Sequence, residues 1–310
     1  MQYPIKKKIK IYRGNSLKKF LLKASYIAKN VIYIKNFSSN KVLKTSNKDP
    51  VLLAYPEKID IDFKADEFRV LVIKSDNSLI RNAQKLRYQN FFNDKKTNKK
   101  VSKIESDEFD KFCDHLLVID TSISESYVVG TYRLLLNTPL SSKSELYTST
   151  EFDLEKLKKQ KVRILEAGRS CVHPNYRDGR IIRLLWKGLA SYIKLKKVDF
   201  IIGCASFSGM KVKDFRTELS YLHYYHLAPK KYDSIPIADK KVTFRLKEKK
   251  KINKLSSFKL LPPLIKAYLR VGAWVGSGAV LDKKFKTIDV CIILKSKNIL
   301  NKYLNLAVKN

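Results

Sequence analysis

Between Ser16 and Tyr33 apolar residues fall at Leu17, Phe20, Leu21, Ala24, Ile27, Ala28, Val31 and Ile32, with Lys18, Lys19, Lys23 and Lys29 mostly on the other side of the wheel. That period predicts a basic amphipathic helix. Its apolar stripe would either pack onto the rest of the protein or lie in an anionic membrane interface. From residue 68 onward the pattern changes to short apolar runs mixed with longer periodic ones. Strands are predicted at residues 68–73, 115–119, 127–136, 162–172, 200–206, 241–246 and 287–294. Helices are predicted at residues 77–92, capped by Ser75 or Asp76, at 181–193 and at 213–225. A lysine-rich polar loop over 93–106 and a loop at Asn47-Lys-Asp-Pro50 separate these elements. The chain therefore divides into a basic N-terminal extension, 1–65, and a main domain, 66–310. Consecutive strands ahead of a central helix make the fold class α/β, with a mixed, largely antiparallel central sheet flanked by helices rather than a doubly wound one.

The segment from Leu165 to Ile193 holds the most specific local signal. It reads Leu-Glu-Ala-Gly-Arg-Ser-Cys-Val-His-Pro-Asn-Tyr-Arg-Asp-Gly-Arg and then continues as an apolar helix pattern. The strand is predicted to end near Val172, where Pro174 stops the ladder, and Asp178-Gly179 supplies a turn and a helix start. A helix N-terminus has unsatisfied N–H groups, and with Arg177 and Arg180 beside it this one is a natural seat for an anion.

The 310 residues include 64 Lys and Arg against 29 Asp and Glu, a formal charge of +35. Such a balance attracts nucleic acid, anionic lipid or an acidic protein, although a chain rich in Lys, Asn and Ile together also reflects nucleotide bias. The aromatics do not interleave with the lysine runs as a base-stacking platform requires, which argues against nucleic acid as partner. Cys113, Cys171, Cys204 and Cys291 show no paired spacing, so neither a disulfide framework nor a zinc site is expected, and a reducing cytoplasm is the simplest setting. Residues 260–281 are apolar but interrupted by Pro262, Pro263, Lys266, Arg270 and glycines, too often for a membrane span. The basic start, Lys6 to Lys10, lacks the apolar run and cleavage site of a signal peptide, so the N-terminus is expected to be retained.

The strand, turn and helix over 165–193 resemble the device by which the acetyltransferase-type (GNAT) fold holds the phosphate end of a pantetheine thioester. The usual pattern there is Arg/Gln-x-x-Gly-x-Gly/Ala. Aligned from Arg177, this chain puts Arg180 and Ile182 at the glycine positions and has only Gly179, displaced by one. A glycine-poor loop approaches a pyrophosphate less closely, which points away from coenzyme A and towards acyl carrier protein, with its single phosphodiester. Five blocks in order also resemble the ornithine N-acyltransferases of bacterial ornithine-lipid synthesis. They are Asp107-Glu-Phe-Asp-Lys-Phe-Cys-Asp-His-Leu-Leu-Val, Val129-Gly-Thr-Tyr-Arg-Leu-Leu, Glu166-Ala-Gly-Arg-Ser-Cys-Val, Ile202-Gly-Cys-Ala-Ser-Phe and Leu261-Pro-Pro-Leu-Ile-Lys-Ala-Tyr-Leu-Arg-Val-Gly-Ala. The resemblance runs from about residue 68 to 304 and omits 1–60. It implies transfer of a 3-hydroxy fatty acyl group from acyl carrier protein to the α-amine of ornithine, giving lyso-ornithine lipid, with no tightly bound cofactor and no metal.

A more distant resemblance is to acyl-homoserine-lactone synthases. Arg87 and Phe91 match their Arg-x-x-x-Phe, Asp110 and Asp114 fall near their acidic pair, Arg133 matches the strand arginine, and Glu166 with Arg169 their Glu-x-x-Arg. Thr97 stands where they carry a tryptophan, which argues against adenosylmethionine as acceptor.

Amide formation from a thioester needs a neutral amine, a route for its proton and donors for the developing oxyanion. Glu166, a carboxylate within an apolar strand, is expected to orient the amine or relay its proton, with Arg169 beside it. A structural Glu166–Arg169 ion pair is the alternative; it requires a bulge, placed at Ala167-Gly168, because residues three apart on a strand face opposite ways. Asp107, Glu108, Asp110 and Asp114 would hold the ornithine side-chain amine while Arg87 or Arg133 takes its carboxylate and Phe91 lines the acceptor site. The other reading of these acids is a solvated, helix-capping loop. Cys171, Val172, Arg177, Gly179 and Arg180 are assigned to the acyl donor, and residues 260–280 to the wall of the acyl pocket. Cys171 and Cys204 read as core thiols rather than nucleophiles. Cys113-Asp114-His115 cannot converge as a triad on one extended segment, and His223 with His226 reads as a satisfied helix face.

Overall fold

The structure is a computed structural model that describes residues 61–75, 77–92, 103–138 and 145–303. The helix expected over 16–33, the Lys6 to Lys10 run and Thr97 lie outside these residues. In order the elements are β1 (Asp62–Ala65), β2 (Phe68–Ile73), α1 (Ile80–Phe91), β3 (Asp114–Asp120), β4 (Val128–Asn137), β5 (Phe152–Asp153), α2 (Glu155–Lys158), β6 (Ile164–Val172) and α3 (Arg180–Lys196). There follow β7 (Phe200–Ser208), α4 (Arg216–His226), β8 (Ile235–Pro236), α5 (Lys254–Leu260), α6 (Pro263–Arg270), β9 (Trp274–Val275), β10 (Val280–Asp282), β11 (Thr287–Lys295) and α7 (Ser296–Tyr303).

Strand alternation feeds two different cores. Val70, Val72, Leu116, Val118, Leu165 and Ala205 face one side of the sheet, where α3 buries Ile181, Leu185, Trp186, Leu189 and Ile193 at helical spacing against them. The intervening residues Leu71, Ile73, Leu117 and Ile119 face the other side, where α1 contributes Ile80, Ala83 and Leu86. The sheet order is β1-β2-β3-β4-β6-β7-β11-β10, with β9 also beside β11, while β5 and β8 pair separately. Every ladder in it is antiparallel except β6 with β7.

That parallel contact is short. Only Ile164↔Phe200, Leu165↔Ile201 and Glu166↔Ile202 pair, after which β6 continues against β4 to Val172 and β7 against β11 to Ser208. The two strands fork. Gly203 stands at the fork because a Cβ there would lie 2.8 Å from the Ala167 carbonyl oxygen. Just beyond, the β4–β6 register jumps from Arg133↔Gly168 to Thr131↔Cys171, and Arg169 adopts a left-handed φ of 51°. The bulge thus lies at Arg169–Ser170 rather than at Ala167-Gly168.

Other expectations are corrected. Asp62–Ala65 pairs with residues 68–71 as the edge strand, so the main sheet begins inside the segment assigned to the N-terminal extension. Residues 241–246 make one bridge, Lys241↔Val280, instead of a strand. The three-residue β10 offers too little edge for a ladder, although Val242 and Phe244 still pack on the core. The helix expected from residue 213 begins at Arg216 after a 3-10 turn, Val212–Phe215. Ser75 does not cap α1; its hydroxyl donates to the Lys111 carbonyl at 2.9 Å, and Asp76 lies outside the described residues. No helix among the described residues is long and apolar enough to cross a membrane.

Candidate active site

The fork between β6 and β7 opens into a cleft of about 460 Å³ that reaches both faces of the sheet. On the α3 side its wall is Ala167, Ala205, Leu264, Ile265 and Tyr268, all packed with the main core. This is the only part of the apolar segment 260–280 that reaches the cleft, and it comes from α6. On the other side the wall is Tyr147, Arg169, Cys204, Asp282 and Asp289. Phe91, expected at the acceptor site, also lines the cleft, its ring 5.7 Å from that of Phe285. A second cavity, of about 310 Å³, lies between α4 and residues 241–246 and is walled mainly by apolar side chains.

Arg87, Asp110, Arg133 and Arg169 are brought together, but with one another. Arg87 donates to Glu105 Oε2 at 2.5 Å and grips both oxygens of Asp110 at 2.6 and 2.9 Å. Arg169 donates to Glu105 Oε1 at 3.1 Å and to Asp107 Oδ2 at 2.7 Å, and Arg133 pairs with Asp107. Asp107 also caps the 3-10 turn Glu108–Phe112, accepting from the Phe109 amide at 3.0 Å, while Asp110 accepts from the Asp107 amide at 3.0 Å. Burial pushes the Asp110 carboxyl upward, but the bonds and charge of Arg87, with help from Arg133, hold it below its ordinary value. Three guanidiniums here meet three carboxylates. The network is therefore an interlocked pillar beside the cleft: Arg169 lines the cleft, whereas Arg87, Asp110 and Arg133, expected at the acceptor, do not and are paired with one another and with Glu105 and Asp107.

Asp114 is separated from that network. It faces the opposite side of β3, where it accepts from the Tyr192 hydroxyl at 2.7 Å and pairs with Lys74 at 3.3 Å. Glu166 does not line the cleft either. Its carboxylate, buried on the α1 side of the sheet, accepts from the Tyr147 amide at 2.8 Å, the Thr148 amide at 2.5 Å and the Thr148 hydroxyl. The bulge does turn Arg169 to the same side, yet the two never pair. Instead they flank Tyr147: Glu166 holds its backbone, and the Arg169 guanidinium lies 4.4 Å from its ring centroid. Glu166 thus holds the 3-10 turn Tyr147–Thr150, from which Tyr147 lines the cleft and after which Glu151 follows.

The residues assigned to the acyl donor are scattered. Cys171 is buried against α1, and burial pushes its thiol up to about 12. The Val172 carbonyl accepts from Arg177 Nε at 3.2 Å, and Arg177 also reaches Asn90, whose side chain lines the cleft. Gly179, at φ 94°, is the N-cap of α3. Arg180 is exposed and tied to Asp178 at 2.7 Å and Glu67 at 3.0 Å, while Asp178 Oδ1 accepts the Arg180 amide at 2.9 Å. The first turn of α3 therefore already carries a carboxylate.

The residues at the cleft that sequence reasoning did not single out are Tyr147, Asp282 and Asp289, with Glu151 beside them. One oxygen of each of Glu151, Asp282 and Asp289 lies within 4.8 Å of the others, and all three residues are buried. Among the described residues this is the one group of three His, Cys, Asp or Glu side chains close enough to hold a cation. Burial first, then the charge of Asp289, pushes the Glu151 carboxyl up to about 7; burial pushes Asp289 up to about 6. Asp282 is steadied by the Phe285 amide at 3.0 Å and the Tyr147 hydroxyl at 3.3 Å. The signal for Asp289 was the one applied to Glu166, a carboxylate within an apolar run, here between Ile288 and Val290.

Residues 86–187 match the family model described as an acetyltransferase (GNAT) domain. A curated protein of Brucella abortus (strain 2308) named L-ornithine N(alpha)-acyltransferase is 34% identical over 276 residues, 86% of this chain and 95% of its own length. A protein of the same name from Rhizobium meliloti (strain 1021) is 38% identical over 232 residues, covering 72% and 78% of the two chains. Among solved structures, a CoA-dependent acyl-homoserine lactone synthase aligns with a TM-score of 0.43 at 13% identity, over 77% of this chain and 89% of that one. With relatives this similar along most of their length, the chain belongs to the L-ornithine N(alpha)-acyltransferase family and is an acyltransferase with a GNAT domain.

Proposed function

We propose that the protein transfers a 3-hydroxy fatty acyl group from acyl carrier protein to the α-amine of ornithine, releasing lyso-ornithine lipid. The observation that carries this reading is the two-sided cleft: an apolar wall from α6 and β7 on one face of the sheet and buried carboxylates on the other. A thioester laid through the fork can pair its pantetheine amides with the edge of β6, which has no ladder partner in β7 beyond Glu166. Its acyl chain then follows Leu264, Ile265 and Tyr268, and a cationic amino acid enters from the acidic side. The neutral α-amine attacks the thioester carbon, the C–S bond breaks, and the proton lost by the amine ends on the departing thiolate. No other reactant is required, so the acyl-carrier thioester is a co-substrate and no resident cofactor is invoked.

Acyl carrier protein is favoured over coenzyme A because the turn into α3 is glycine-poor: with Arg180 and Ile182 at the glycine positions, the backbone approaches a phosphate less closely, which a single phosphodiester tolerates better than a pyrophosphate. The setting we infer is the cytoplasm, at a membrane surface that accepts the product. The test is to incubate purified protein with 3-hydroxyacyl carrier protein or the matching coenzyme A thioester and each amino acid in turn, with mass spectrometry of the products. N-acylornithine from the carrier-protein donor is expected. Preferential acylation of another amino acid, lactone formation from adenosylmethionine, or equal use of coenzyme A would overturn the corresponding part.

A further inference from the structure

Three buried carboxylates at one point need a reason, because burying charge without a partner is costly. Glu151 and Asp289 are only 1% and 4% exposed, and Glu151 Oε2 and Asp289 Oδ1 have no hydrogen-bond partner. Among the described residues no lysine or arginine forms an ion pair with Glu151, Asp282 or Asp289. Arg169, which shares the cleft, makes its ion pairs with Glu105 and Asp107 and none with the three carboxylates. Two acceptor atoms thus await a donor, and Asp282 and Asp289 open onto the cleft.

We infer that Glu151, Asp282 and Asp289 form the subsite that holds the side-chain ammonium of the acceptor, and so select a cationic amino acid over a neutral one of the same length. This rests on the acyl-transfer reading given above. The geometry suits an ammonium. A tetrahedral R–NH₃⁺ donating three bonds of about 2.8 Å spans oxygens roughly 4.6 Å apart, and the three oxygens here lie within 4.8 Å of one another. The carboxylates come from three separate elements: the residue after the Tyr147–Thr150 turn, the end of β10, and β11 opposite Ser206 of β7. Each is held by the fold rather than by a loop of its own, which fixes the distance from the ammonium to the fork where the α-amine must meet the thioester. Glu166 is the positioning residue for this subsite, since it anchors the turn that carries Glu151.

The experiment compares ornithine with norvaline, which is ornithine without the terminal amine, as acceptors for the full-length wild type, Glu151→Gln, Asp289→Asn and Asp282→Asn. A site built around a polar group rejects an analogue lacking it by roughly 10⁴-fold. The wild type is therefore expected to prefer ornithine by about that ratio. Each variant is expected to raise KM for ornithine roughly 10- to 100-fold, leave KM for the acyl donor within about twofold, and shrink the ornithine-to-norvaline ratio. Circular dichroism establishes that each variant is folded, and because three positions are tested, failure of one to fold does not decide the matter. Failure of the wild type to acylate any amino acid sinks the proposed function itself. Acylation of ornithine with an unchanged ratio in folded variants overturns the subsite alone. Calorimetric titration with Mg²⁺ and Ca²⁺ completes the test: a cation that binds the wild type, is lost in all three variants and leaves the acceptor ratio untouched makes this a metal site instead.

Discussion

Replacing Glu151 by glutamine is expected to stabilise the protein at pH 8 and to leave it unchanged near pH 4.5. The ordinary value for the glutamate carboxyl is 4.5, whereas in the fold burial and the neighbouring Asp289 raise it to about 7. Below pH 4.5 the group is protonated folded or unfolded and nothing is lost. Between 4.5 and 7 the unfolded chain releases a proton that the folded protein keeps, so stability falls as pH rises, and above 7 the full penalty is present. A difference of about 2.5 pH units corresponds to about 3 kcal/mol. Glutamine keeps the shape of the side chain and carries no charge at any pH, so the variant escapes that penalty. For a chain of this size it corresponds to a rise in Tm of roughly 5 °C. Thermal melts followed by circular dichroism at pH 8 and pH 4.5, without acceptor, measure it directly. A variant that melts at the same temperature as wild type at pH 8, or lower at both pH values, would show that Glu151 is stabilised as a carboxylate and that the reasoning from burial is wrong.

Arg87→Ala leaves Glu105 and Asp110 buried without their shared partner and is expected to cost about 3–5 kcal/mol in urea denaturation; a midpoint within error of wild type would dissolve the idea of an interlocked pillar. Glu166→Gln should lower kcat/KM for the acceptor roughly tenfold by loosening the Tyr147–Thr150 turn while the pH–rate profile keeps its shape, and loss of one limb of that profile would restore Glu166 as a proton carrier. Gly203→Ala forces a methyl to within 2.8 Å of the Ala167 carbonyl oxygen and should destabilise by about 1–3 kcal/mol, so an unaltered melt would mean the fork is not sterically set. Cys171 should resist alkylation by iodoacetamide at pH 8 in the native state, because its thiol is buried and pushed up to about 12; rapid native-state labelling by peptide mapping counts against that placement.

The strands that build the fork were legible because short apolar runs start or fill them: Ile164-Leu165, Phe200-Ile-Ile202 and Val290-Cys-Ile-Ile-Leu294 each lie in a segment that became a ladder. The 241–246 run alternates just as well, but a strand needs an edge to pair with, and sequence does not show that β10 is three residues long. The bulge was anticipated two residues early because Gly168 looked like the permissive position, whereas the left-handed residue is Arg169, held there by Glu105 and Asp107. The site was read less well, for one physical reason. A carboxylate within an apolar strand signals that something compensates it, not what. Glu166 is compensated by amides 18 and 19 residues away, and Asp110 by Arg87, 23 residues away. Asp289 carries the same signal but keeps one oxygen, Oδ1, without a partner, which only the folded chain reveals.

The short β6–β7 contact also decides how the molecule can breathe. Three residue pairs, Ile164–Glu166 with Phe200–Ile202, stitch β1, β2, β3, β4 and β6 to β7, β9, β10 and β11 within one sheet. The ladders within each half are longer than the seam, six to nine residue pairs for β2–β3, β3–β4, β4–β6 and β7–β11, so bending is expected to concentrate at the seam and at Gly203. The sheet is a pair of panels joined by a short seam, and in the proposed reaction the acyl chain passes through the gap beyond that seam. On that proposal acyl-chain tolerance is expected to depend on the seam as a whole rather than on any single wall residue, and amides on either side of Glu166 should exchange with solvent faster than those of the panels they join.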